Sequence, residues 1–221
     1  MRISIGCTKK MYRIEVTFPR EAEEYIGLQC NNEKEVFSKL PEIEEIRLYL
    51  RDLNPNVVLD VGSGIGRASV YFFKHFRWTD TRFILADGDS GKTQLSGIRT
   101  GEGEYYNSLD ATRAFCEANG LYNFETFNLG KHKWGELNCR PDLAYSFMAL
   151  GFHWPVNSFL DDVHDSLEDK CLLIFGLRGG ERARGWIGQQ IREINRKEYR
   201  VVEISFEPKK KRGGFMVLEK I

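Results

Sequence analysis

No apolar run in this 221-residue sequence approaches the roughly 20 residues that a membrane-spanning helix requires. Its first stretch, MRISIGCTKKMYRIEV, lacks the long apolar centre of a secretion signal. Net charge is missing as well. Thirty-two Lys and Arg balance 32 Asp and Glu, so no global field draws the chain to nucleic acid or anionic lipid. The five cysteines (Cys7, Cys30, Cys116, Cys139, Cys171) form no C-x-x-C spacing, and no paired histidines accompany them. These absences argue against a metal site and a disulfide framework. They favour reduced thiols, mostly core filler, in a cytoplasmic protein. Internal repeats and low-complexity tracts are also absent.

What is present is ordinary for a globular chain: 42% apolar and 29% charged residues. Residues 11–18 alternate and predict a strand, and helix-period apolar residues run from Glu33 to Leu53, split by Pro41. From residue 57 onward strand and helix signals alternate. Strands are expected at 57–61, 82–87, 123–129, 142–148 and 170–177. Helices are expected at 67–76, 108–119 (ended by Gly120), 156–167 and 184–197. Two consecutive strands, 199–206 and 214–221, close the chain. This order predicts a doubly wound α/β fold, with a mainly parallel seven-stranded sheet and a C-terminal antiparallel hairpin. One domain is expected over residues 56–221, preceded by an N-terminal extension over 1–55.

The most informative segment is Leu-Asp-Val-Gly-Ser-Gly-Ile-Gly at 59–66. A dinucleotide fingerprint would need a third glycine at position 67, which is Arg67, and no Gly-Lys-Ser/Thr follows to grip a phosphate. The remaining pattern is an acid followed by three alternating glycines: Asp60, Gly62, Gly64 and Gly66. RFILAD then ends in Asp87, followed by Gly88 and Asp89, and NFETFNL ends in Asn128 and Leu129.

On these residues the chain resembles the class I S-adenosylmethionine-dependent methyltransferases, a Rossmann-like fold. The resemblance covers roughly the span from Asn56 to the C-terminus. It implies S-adenosyl-L-methionine as cofactor, held by Asp60, Gly62, Ser63, Gly64, Gly66 and Ser146. Asp60 would meet the methionine amino group, and Asp87 the ribose hydroxyls, with Asp89 as the alternative. Asn128 stands where many relatives carry an acid. Its side-chain carbonyl can still accept from the adenine amino group, with Leu129 against the ring.

Acceptor chemistry in this class follows the fourth strand, here SFMALGFHWPV (146–156). The Asn/Asp/Ser-Pro-Pro-aromatic motif of enzymes that methylate adenine or glutamine nitrogen is absent. Gly-Phe-His-Trp-Pro stands instead, and an alcohol acceptor needs a base, for which a histidine pKa near 6.5 is suited. The same stretch, with LADGDS (85–90) and YYNSLDATRAFCEANG (105–120), resembles a group of class I enzymes labelled sugar O-methyltransferase-like. The resemblance implies methyl transfer to a hydroxyl of a small molecule or glycan, with His153 as base. His153 packed beneath the cofactor or holding its loop is the alternative, which also fits N-methylation or a non-catalytic partner protein.

Weaker candidates surround this core. Trp154 reads as a wall of the site and Pro155 as the first residue of the next helix. His132 and Trp134 suit either the adenine end or a surface loop, and Arg178 either an anionic acceptor or a salt bridge. Tyr105 and Tyr106 suit either ring stacking or core, His164 should face solvent, and KKKR at 209–212 reads as a solvated hairpin tip.

Overall fold

The computed structural model describes residues 2–5, 14–22, 43–89, 108–147, 149–150, 156–178, 188–189, 191–192, 194–195, 198–206 and 212–221. His153, Trp154, Pro155, Tyr105, Tyr106 and most of the KKKR tip lie outside these residues.

Strands β1 (Arg2–Ile5) and β2 (Ile14–Thr17) form a two-stranded antiparallel sheet. Four residues give β1 too short an alternation to be read alone; its pairing with β2 makes it a strand. Helix α1 (Ile43–Leu50) falls in the second half of the stretch 33–53 expected to be helical, and Pro41 lies outside the described residues. It buries Ile46 and Leu50, one turn apart, and leaves Leu48 66% exposed.

The remaining strands are β3 (Val57–Val61), β4 (Arg82–Asp87), β5 (Phe124–Asn128), β6 (Leu143–Ser146), β7 (Leu172–Arg178), β8 (Tyr199–Phe206) and β9 (Arg212–Lys220). They form one seven-stranded sheet in the order β5-β4-β3-β6-β7-β9-β8. The pairs β4–β5, β3–β6 and β6–β7 are parallel, and β7–β9 and β8–β9 are antiparallel. Continuous burial along β3, β4 and β6 is what strands covered on both faces require.

By compactness the chain divides into two units: residues 1–54 with 63–131, and residues 55–62 with 132–221. In the first, helices α2 (Arg67–Phe76) and α3 (Leu109–Ala118) contribute Val70, Phe72 and Phe115 to a core with Phe83 and Leu85. Trp78 stacks on Phe76 with ring centroids 4.9 Å apart, and its Nε1 donates to the Leu53 carbonyl at 3.1 Å. Asn119, at the end of α3, fastens the end of β2. Its Oδ1 accepts from Thr17 N at 2.8 Å and Lys74 Nζ at 3.1 Å. Its Nδ2 donates to the Thr17 carbonyl at 2.7 Å and the Phe115 carbonyl at 2.8 Å. Every hydrogen-bonding position of the amide is used.

In the second unit the Asp142 carboxylate accepts from Asn56 N, Asn56 Nδ2 and Val57 N, pinning the start of β3. Helix α4 (Val156–Val163) runs into a 3-10 turn, His164–Ser166. His164 does not simply face solvent as its polar surroundings suggest. The helix tightens there, and the ring meets Tyr199, with Nδ1 and the phenol oxygen 3.0 Å apart. Lys220 is buried because its ammonium donates to the carbonyls of His164 (3.0 Å) and Leu167 (2.8 Å), capping the same turn. Cys116 and Cys171 are buried free thiols, as core filler should be, and Cys139 is half-buried. Among the described residues no helix is long and apolar enough to cross a membrane.

Asn119→Leu should destabilise the chain by about 2–4 kcal/mol in urea unfolding, because it strands the half-buried backbone groups of Thr17 and the buried carbonyl of Phe115. Asn119→Asp should lose nearly as much, since it offers an oxygen to the Thr17 carbonyl.

Candidate functional site

The glycine turn leaves β3 with Gly62, Gly64 and Gly66 at φ 70°, 55° and 81°. At Gly62 and Gly66, space as well as conformation demands glycine. A Cβ on Gly62 would lie 2.2 Å from the Ala149 Cβ, and one on Gly66 would lie 2.9 Å from the Cys116 Sγ. Gly66 N donates to the Ser63 carbonyl at 2.9 Å, and the Gly66 carbonyl accepts from Val70 N at 3.0 Å. The turn therefore feeds directly into α2. Arg67, where a dinucleotide fold would place its third glycine, is the buried first residue of that helix.

Within the first unit both sides of Gly64 are held by side chains. Its N–H donates to Asp87 Oδ2 at 2.7 Å, and its carbonyl accepts from Thr112 Oγ1 at 2.8 Å. Ser63 N donates to the Ala86 carbonyl at 3.2 Å. Asp87 is the last residue of β4, and its Oδ1 accepts from Gly88 N at 2.7 Å. Burial pushes its carboxyl up to about 6, against the lowering effect of the two N–H donors. A carboxylate offers about four lone-pair positions, so two remain for hydroxyl donors. Asp89 is exposed.

Asn128 stands opposite Asp87 in the β4–β5 register and is buried, its Oδ1 accepting from Gly130 N at 2.9 Å. That leaves the second lone pair of the amide oxygen for another donor. Leu129, half-buried, donates its N–H to the Asp87 carbonyl at 2.9 Å. Ser63, Gly64, Gly66, Asp87, Asn128 and Leu129 thus belong to one connected group.

In the second unit Asp60 is 3% exposed and pairs in register with Tyr145 of β6. Ser146, fully buried at the end of β6, accepts the Leu150 N–H on its Oγ at 3.0 Å. Ala149 covers Gly62, and Phe147 lies so near β7 that a Cβ on Gly176 would sit 2.6 Å from its carbonyl oxygen. Three contacts therefore hold Phe147, Ala149 and Leu150 beyond the end of β6. His132 and Glu136 form an exposed pair at 2.9 Å, whose hydrogen bond holds the Glu136 carboxyl below its usual range. Trp134 packs edge-on against Phe159. Arg178 ends β7 at a shift in the β7–β9 register.

Sequence reading gives Thr112, Cys116, Ala149 and Gly176 no individual role, although Thr112 and Cys116 lie in YYNSLDATRAFCEANG and Ala149 in SFMALGFHWPV. Only Gly176, a glycine inside an apolar strand, gives a hint of close backbone approach. Among the described residues, no three His, Cys, Asp or Glu side chains group as a metal would need.

No family profile and no curated protein matches the sequence. Solved structures do match. The O-methyltransferase TomG from Streptomyces achromogenes, involved in tomaymycin synthesis and solved with S-adenosylmethionine, is 10% identical with a TM-score of 0.61, over 93% of this chain and 91% of TomG. A methyltransferase from Pyrococcus furiosus is 14% identical with a TM-score of 0.55, over 84% and 82%. An rRNA methylase from Streptococcus thermophilus is 14% identical with a TM-score of 0.52, over 81% and 96%. The chain has the fold of the class I S-adenosylmethionine-dependent methyltransferases.

Gly62→Ala should cost roughly 2–5 kcal/mol, from a strained φ and the collision with Ala149. Gly135→Ala, whose added Cβ meets nothing within 4 Å, is the matched control and should unfold like wild type. The Asp87 carboxyl carbon should titrate near 6 in the free protein. A folded pKa raised above the ordinary 3.8 makes the Asp87 contribution to stability full below that value. It is then lost as pH rises through about 6. Unfolding of wild type and Asp87→Asn across pH 4 to 7.5 measures this, and the wild-type advantage should shrink toward the higher pH.

Proposed function

We propose that this chain transfers a methyl group from S-adenosyl-L-methionine to a hydroxyl of a small molecule or glycan, working in the cytoplasm. One observation carries the cofactor reading: the Asp87 carboxylate reaches back to Gly64 of a three-glycine turn and keeps lone pairs for further donors. A neutral ribose needs acceptors of that kind. A diphosphate would instead need N–H donors at a helix terminus, and the residue that would complete such a cradle is Arg67.

The proposed roles follow. Asp60 meets the cationic amino group of the methionine moiety, beside the turn Gly62, Ser63, Gly64 and Gly66. Asp87 accepts from the ribose hydroxyls, with Asp89 nearby in sequence. Asn128 accepts from the adenine amino group, Leu129 packs on the ring, and Ser146 offers its hydroxyl hydrogen. The cofactor supplies an electrophilic methyl group on a sulfonium centre. The protein's contribution is chiefly alignment, with His153 taking the acceptor's proton. Residues 1–55, as an extension to a catalytic domain over 56–221, and residues 88–104 would set acceptor specificity.

Support for a hydroxyl comes from Gly-Phe-His-Trp-Pro standing where amine-directed enzymes carry a Pro-Pro-aromatic motif. The fold is shared with an rRNA methylase. Zero net charge weighs against a nucleic-acid acceptor here.

Calorimetry with S-adenosylhomocysteine, the demethylated cofactor, tests the first half. Only ionised Asp87 accepts fully, so affinity should weaken roughly tenfold from pH 7.5 to pH 5 as the competent fraction falls. Asp87→Asn should bind more weakly and lose the pH dependence. Absence of binding at millimolar ligand would defeat the proposal. His153→Ala should retain cofactor affinity and lose methyl transfer to hydroxylated acceptors in a screen for released S-adenosylhomocysteine; near-full activity would remove His153 as the base.

A further inference from the structure

We infer that Thr112, in the first turn of α3, is a positioning residue that holds the glycine turn in its cofactor-binding shape. The inference rests on the cofactor reading above and extends it to a residue outside the glycine octamer 59–66. Thr112 is fully buried, and its hydroxyl lies 2.8 Å from the Gly64 carbonyl. Its methyl group lies 3.7 Å from where a Cβ on Gly66 would stand. The one side chain therefore bonds the middle glycine and lines the space that the third leaves open.

Such a turn needs that help. Glycine surrenders more backbone freedom on ordering than any other residue, and three alternating glycines make an intrinsically loose segment. Apparent affinity falls in proportion to the fraction of molecules whose site is already formed. Asp87 fixes the amide of Gly64 and Thr112 fixes its carbonyl, so both torsions at the centre of the turn are held before any ligand arrives.

The hydroxyl lies 2.8 Å from Gly64 O and 3.1 Å from Ser108 O. Ser108 O is also served by the Thr112 amide at 3.0 Å, and the shorter hydroxyl contact is the one to Gly64. Ser108 also caps α3, its Oγ accepting from Ala111 N at 3.3 Å. The capped helix end thus offers Thr112 as a rigid post.

Thr112→Val keeps shape and removes the donor, whereas Thr112→Ser keeps the donor. By calorimetry, Thr112→Val should bind S-adenosylhomocysteine about five- to twentyfold more weakly than wild type, and Thr112→Ser within about twofold. Amide hydrogen exchange in the cofactor-free protein should accelerate across residues 63–66 in Thr112→Val and not in Thr112→Ser. A purely structural threonine would lower the unfolding midpoint in Thr112→Val while leaving affinity at the wild-type value, and that result overturns the inference. Wild-type protein alone provides a second check: exchange over 63–66 at the rate of an open loop also overturns it. Wild type that fails to bind the ligand at all defeats the cofactor reading and this inference together. Wild type that binds as well as Thr112→Val defeats the inference only.

Discussion

The hydrogen bond from Gly64 N to Asp87, 2.7 Å long, is the contact on which the rest of the candidate site depends. It joins the glycine turn, whose residues lose the most backbone freedom on ordering, to the end of β4. Through β4 it reaches Asn128, which stands opposite Asp87 in the parallel register, and Leu129, whose amide binds the Asp87 carbonyl.

Asp87 is under opposed demands. Burial favours the neutral acid, while two N–H donors favour the carboxylate, and burial prevails enough to raise the carboxyl to about 6. A residue selected for stability alone would avoid this balance. A residue that must offer lone pairs to a hydroxylated ligand has a reason to keep it. The turn shows the same compromise. Gly62 and Gly66 accept left-handed backbone so that Ala149 and Cys116 can approach, at a cost in chain entropy that side-chain anchors offset.

The parts readable from sequence are those whose signal is local. VVLDV, RASVYFFKHF and RFILAD carry unbroken burial or helical period between clear turns, and β3, α2 and β4 begin and end as read. The octamer 59–66 declares its turn because three glycines at alternate positions have few other uses. Long-range partners left no such trace. Thr112 reads as an ordinary helix residue until the fold brings it to Gly64, and Ala149 as an ordinary loop residue until it covers Gly62. His164 misleads for the same reason: its neighbours in sequence are polar, and its neighbour in space is Tyr199. Strand β1 needed β2 beside it, and Asn119 needed Thr17, one hundred and two positions away.

The central claim is that Asp87, anchored to the glycine turn, is the acceptor for a ribose. A crystal structure of the protein grown with S-adenosylhomocysteine tests it most directly. The account predicts both ribose hydroxyls within hydrogen-bond distance of the Asp87 carboxylate, with the Gly64–Asp87 bond retained. A ligand whose ribose lies away from Asp87, or a glycine turn that has released Asp87 to admit it, would contradict the account.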